Sequence, residues 1–131
     1  MQQVQLVKRQ GQYYKGAGGG SSAAYGDYIT EKFAKADVAA AATNTSLIAA
    51  VTAKKIRVIS YSVSALAAGA TTIKFSSATT AISHTISLAA NGFASETDEN
   101  GLFQTNAGEA LTVTTGAAAG VGVRVTYVEV D

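Results

Sequence analysis

A chain of 131 residues accommodates one domain and an extra arm. Apolar residues make up 47% but much of that is alanine, and aromatics are 8% with no tryptophan, so burial removes little area per residue and association with further copies is expected to help. A formal net charge of +1 and a charged fraction of 15% argue against nucleic-acid or anionic-membrane binding by bulk electrostatics, and the lack of cysteine excludes disulfides and thiolate zinc sites.

The opening MQQVQLVKRQGQYYKG has no apolar run of signal-peptide length. No stretch approaches the roughly 20 apolar residues of a membrane span. Synthesis in a cytoplasm is expected, with exit only as part of a particle. Residues 1–30 are rich in Gln, Gly, Ser and Tyr, and GAGGGSS (Gly16 to Ser22) has the composition of a flexible linker. Before it, Val4, Leu6 and Lys8 alternate with polar residues, enough for one short strand. Lys8, Arg9 and Lys15 form a basic cluster beside Tyr13 and Tyr14, while Tyr25, Tyr28 and Phe33 are isolated aromatics. A basic and aromatic segment suits single-stranded nucleic acid or an acidic protein surface, and the near-neutral whole favours the protein. The segment, residues 1–30, reads as a flexible or extended arm, mobile alone and ordered when docked, with Val4, Leu6, Lys8, Arg9, Tyr13, Tyr14, Tyr25 and Tyr28 as its candidate docking residues.

From residue 31 the chain is a series of short β-type runs. VAAAATNTSLIAAV (Val38 to Val51) is read as two strands around a hairpin at TNTS, against the helix propensity of its alanines. KKIRVISYSVSAL (Lys54 to Leu66) places Ile59, Tyr61, Val63 and Ala65 on one face, and Ile56 and Val58 with three serines on the other. Its leading charges Lys54, Lys55 and Arg57 suit an edge strand. TIKFSS alternates around Ile73 and Phe75, and AISHTISL puts Ile82, His84, Ile86 and Leu88 on one face. ALTVTT sets Leu111 and Val113 against threonines, and VGVRVTYVEV sets Val121, Val123, Val125 and Tyr127 against Gly122, Arg124 and Thr126. About eight period-2 runs separated by turn signals predict an all-β protein: one jelly-roll-like antiparallel β-sandwich over residues 31–131 with an extended N-terminal arm.

Few residues carry chemistry. In ETDENG, Glu96, Asp98, Asn100 and Gly101 match the opening of an EF-hand loop, but the bidentate acid at its twelfth position would fall on Ala107. A turn with a solvated acidic surface is expected, a weak calcium site of another kind being the alternative. Glu96, Asp98, Glu99 and Glu109 supply enough carboxylates for glycoside hydrolysis, yet no tryptophan offers a stacking platform, and Phe93 and Phe103 read as core anchors at strand ends. His84, the sole histidine, is expected in the core or at an interface between subunits; no GxSxG elbow accompanies it. GAGGGSS lacks the Lys of a phosphate loop, and Asn44-Thr45-Ser46 matches the glycosylation sequon without a secretion signal.

KKIRVISYSVSAL, LAANGF, GLFQTNAGEALTVTTG and VGVRVTYVEV, in that order over roughly residues 45 to 130, resemble small virion proteins of tailed bacteriophages. The resemblance implies a jelly-roll sandwich, often trimeric, displayed on the particle, and no catalytic residues come with it. The expectation is a non-enzymatic capsid decoration (cement) protein without cofactor or metal. It would bind the major capsid protein or another virion protein at the capsid surface as a homo-oligomer, a trimer above all, after assembly in the host cytoplasm. Neither nucleic acid nor membrane is an expected partner. The alternative is a tail or head-fibre recognition module for host glycan or protein.

Overall fold

The computed structural model describes residues 6–9, 12–15 and 28–131, with side chains from Ile29 onward. Among these residues every regular element is a β-strand and no helix occurs. Strands β1 (Leu6–Arg9), β2 (Gln12–Lys15) and β3 (Tyr28–Ile29) form a small antiparallel sheet in sequence order. The segment read as one strand thus holds two: QYYK pairs back on LVKR, Arg9 opposite Gln12.

The rest is a sandwich of two antiparallel sheets. In the first, β4 (Lys32–Val38), β6 (Lys55–Ala65), β10 (Phe93–Thr97) and β13 (Val121–Val130) lie in the order β10-β6-β13-β4, and β11 (Phe103–Gln104) continues beside β6. In the second, β5 (Thr45–Ile48), β12 (Leu111–Thr115) and β7 (Thr71–Ser77) are neighbours, with β8 (Thr80–Ala81) and β9 (Ile86–Leu88) both on the open side of β7. If β8–β9 and β10–β11 each count as one interrupted strand, the chain changes sheet at every connection but the β7–β8 hairpin. This is the eight-strand jelly roll, and the β-sandwich expectation holds.

The inner faces follow the alternation of the sequence. Ile73, Phe75, Leu111, Val113, Val121 and Val125 are fully buried between the sheets, as the period-2 pattern predicts. Three strand-level expectations are corrected. First, Ile56 and Val58 lie in the core beside Tyr61 and Val63, not on the opposite face. Thr126 faces Ser60 but Tyr127 faces Val58, so Ile59 is an extra residue, and a bulge inverts the parity of the strand there. Ile59 consequently points outward, where it packs with Ile29, Val128 and Val130. Second, Lys54, Lys55 and Arg57 guard no edge, because β6 is a central strand between β13 and β10–β11. Third, 38–51 holds neither two strands nor a hairpin: it contains β5 and only the last residue of β4, Val38, and the two strands belong to different sheets. The crossover draws its hydrogen bonds from β12 instead, as Ala42 N–H donates to Thr115 Oγ1 at 3.0 Å and Asn44 N–H to Thr114 Oγ1 at 3.0 Å. Those side chains satisfy backbone groups that a hairpin would have paired.

Candidate functional site

ETDENG interrupts an edge strand. β10 pairs with β6 down to Thr97 opposite Ser60, and pairing resumes with Phe103 opposite Val58. The loop therefore sits against the bulge at Ile59, whose carbonyl accepts the Asp98 N–H at 2.9 Å. Asp98 is spent on the turn. Its Oδ1 accepts the Asn100 N–H at 2.9 Å and its carbonyl the Gly101 N–H at 2.9 Å. Gly101 has φ +103°, and a Cβ there would lie 2.5 Å from Cδ of Arg57, so only glycine fits. Arg57 is 5% exposed; its Nε donates to Gln104 Oε1 at 2.9 Å, and burial lowers its pKa. Among the described residues no group of three or more acids or histidines is placed to hold a metal ion. Three of the four acids considered for glycoside hydrolysis enter separate networks: Asp98 holds the turn, Glu109 accepts from Ser77 Oγ and Asn106 Nδ2, and Glu96 accepts from Tyr61.

His84 and Glu96 do line one pocket, of about 200 Å³, on the side of the sandwich where β10 faces the β8–β9 segment. The floor is Tyr61 and Phe103, continuous with the buried ring of Phe75: centroids lie 5.5 Å apart for Tyr61–Phe75 and 5.0 Å for Phe75–Phe103. Ile82, Ile86 and Leu102 are the apolar walls, and Ser83, His84 and Glu96 the polar part. Tyr61 OH donates to Glu96 Oε2 at 2.9 Å. Burial above all, then this bond and the Glu96 charge, push the Tyr61 pKa up to about 12. Ser83 Oγ accepts the Phe75 N–H at 2.9 Å and donates to the His84 carbonyl at 2.8 Å, so this hydroxyl serves the backbone rather than the ring of His84.

The core alternative for His84 is overturned, because the residue is exposed. Ala81 faces Ser76 and Ile86 faces Ile73 along β7. Four residues, 82–85, thus span the two between, and the slack swings His84 away from the inner face its sequence position suggested. Phe103 packs on the core as expected, but Phe93 is 74% exposed.

Phe93 belongs to a second feature that sequence reading missed. It faces Ser64 across the β10–β6 pair, which puts both on the outer face of the first sheet. Leu66 lies beside Ser64 over Gly122, and Phe33 carries the Arg124 guanidinium 6.0 Å above its ring. Phe33, Leu66 and Phe93 are the large exposed apolar residues among those described. They flank a shallow groove of about 380 Å³ along Ser62, Ser64, Gly122 and Arg124, bordered by Lys35 and Asp37. The serines and Gly122 are what the alternation predicts for an outward face; the flanking aromatics are the signal that could have marked it.

Of the candidate docking residues of the arm, Val4 and Tyr25 fall outside the described residues, as does GAGGGSS. Leu6, Lys8 and Arg9 lie on β1, Tyr13 and Tyr14 on β2, and Tyr28 on β3, with Tyr14 opposite Val7 on one side and Tyr28 on the other. No protein-family model and no curated protein sequence matches this chain. A chain from a structure entitled "Bacillus endospore appendages form a novel family of disulfide-linked pili" is similar at 26% identity, over 78% of this chain and 87% of that one, with a TM-score of 0.44.

Proposed function

We propose that this chain is a non-enzymatic structural subunit of a tailed-phage virion, a capsid decoration (cement) protein that binds the head surface as a homo-oligomer, a trimer by preference. One observation carries the reading: Phe33, Leu66 and Phe93 stand 61%, 49% and 74% exposed on the same outer sheet face, around a groove along Ser62, Ser64, Gly122 and Arg124. Exposed apolar residues gathered on one face, rather than scattered, mark a surface made to be covered by another chain. The phage assignment itself rests on the phrases from Lys54 to Val130 that resemble small virion proteins. In this reading the sandwiches associate through the outer face, and the arms reach neighbouring capsid subunits, adding avidity to weak single contacts.

The arm is tested by deletion. Ile29 is 8% exposed and packs on Ile59, Val128 and Val130, so the cut belongs before it. A protein lacking residues 1–27 should fold and no longer decorate heads; undiminished incorporation would remove the docking role of the arm. Quantitative mass spectrometry of separated heads and tails tests the location. Many copies on heads are expected, and a few copies confined to tails would transfer the protein to the recognition-module class.

A further inference from the structure

The Tyr61–Glu96 pocket lies outside the proposed assembly face and has a chemistry of its own. Its walls are hydrocarbon, from Ile82, Ile86, Leu102 and Phe103, and its polar part is the Glu96 carboxylate with His84 and Ser83, whose hydroxyl is engaged with the backbone. That carboxylate is held from within by Tyr61 OH on Oε2. Among the described residues Glu96 is the one carboxylate that lines the pocket, and neither lysine nor arginine lines it, so its field favours a cation and disfavours an anionic sugar. A neutral hexose would set hydroxyls against the isoleucine and leucine walls, losing their hydration without hydrogen bonds. An alkyl chain ending in an ammonium matches both parts, with methylenes against the walls and charge at the carboxylate. About 200 Å³ is also too small for much more than one such side chain.

We propose that this pocket receives the side chain of a lysine from a partner protein, with the ammonium bound by Glu96. Among the described residues β10 pairs only with β6, so its other edge is open to an extended partner segment. Such a segment, pairing along β10, presents alternate side chains to the pocket. Glu96 lies on β10 itself, opposite Tyr61, which places the receiving carboxylate in the strand that a partner backbone would follow. The inference does not depend on the particle assignment, since heads can be decorated through the Phe33–Phe93 face whether or not the pocket takes a lysine.

The test is a titration of the full chain with Nα-acetyl-lysine-N-methylamide, followed by amide chemical shifts. Saturable shifts at Tyr61, His84, Glu96 and Phe103 are expected, with a Kd on the order of 1–10 mM, fitting a single small contact. The Nε-acetylated probe, which lacks the charge, and the variant Glu96→Gln should each bind at least about tenfold more weakly. The spectrum of Glu96→Gln away from the pocket, unchanged, establishes that the variant is folded. Absent shifts, equal binding of the acetylated probe, or equal binding by folded Glu96→Gln would overturn the proposal. Saturable binding of glucose or galactose in place of the lysine probe would overturn it too.

Discussion

The outer face of the first sheet has two halves that began with the same problem and solved it differently. At one half the β6 bulge turns Ile59 outward, and Val128 and Val130 follow on β13; all three are under 3% exposed because Ile29 of the chain's own β3 lies over them. At the other half Phe33, Leu66 and Phe93 point outward and stay exposed, with only the Arg124 guanidinium over the Phe33 ring. Both halves are apolar, yet only one is finished within the monomer. The contrast locates where intramolecular packing ends and where, in the proposed function, contact between subunits begins.

The sharpest way to break this contrast is Ile59→Ala. Removing a side chain packed against Ile29, Val128 and Val130 should lower folding stability by about 2–5 kcal/mol, read as a lower denaturation midpoint at unchanged slope. A loss as small as that of a surface residue would mean Ile29 does not cover it. Next is Gly101→Ala, on the same half, where the new methyl meets Arg57 and the backbone needs positive φ; about 1–3 kcal/mol should be lost. Tyr61→Phe probes the opposite side of β6. Losing the bond to Glu96 should cost about 1 kcal/mol near neutral pH. The larger signature is at high pH. The Tyr61 pKa stands near 12 against about 10 unfolded, so its contribution is fully present below pH 10 and lost as pH rises toward 12. The wild-type stability should fall faster than that of the variant across this window, by about 2 kcal/mol in total. Parallel curves would show that the hydroxyl is not held protonated by the fold. The smallest effect on folding belongs to the uncovered half: Phe93→Ser should change stability by no more than about 0.5 kcal/mol. Its effect should appear in association, as a shift toward monomer in sedimentation equilibrium. If stability falls and association stays, Phe93 belongs to the fold rather than to an interface.

Much of the sandwich was legible in the chain because alternation is a local property. Val121 to Tyr127, Leu111 with Val113, and Ile73 with Phe75 fell on the inner face as their spacing required. Reading failed where a residue was inserted against a partner. Ile59 in β6 inverted the faces of half a strand, and the slack at 82–85 carried His84 out of the core. Neither insertion leaves a mark in its own segment, since both are defined only by the register of the neighbouring strand. The candidate pocket was half legible. Glu96 and His84 each drew attention as isolated functional groups, but their place around one pocket, and the part of Tyr61 in orienting the carboxylate, depended on two sheets closing at that side.

By itself the sequence determined the class of the protein: β-strands from period-2 runs, no disulfide without cysteine, an acidic turn at ETDENG ending in a glycine that the turn demands. These follow from short-range geometry and composition, which neighbours along the chain suffice to specify. Only the tertiary structure decided which strands are central, which apolar side chains Ile29 covers, and that Phe33, Leu66 and Phe93 share an open face. Those facts come from contacts across about a hundred residues of chain, as in the packing of Ile29 with Val130, where the energy of burial depends on what arrives from afar rather than on what stands next in sequence.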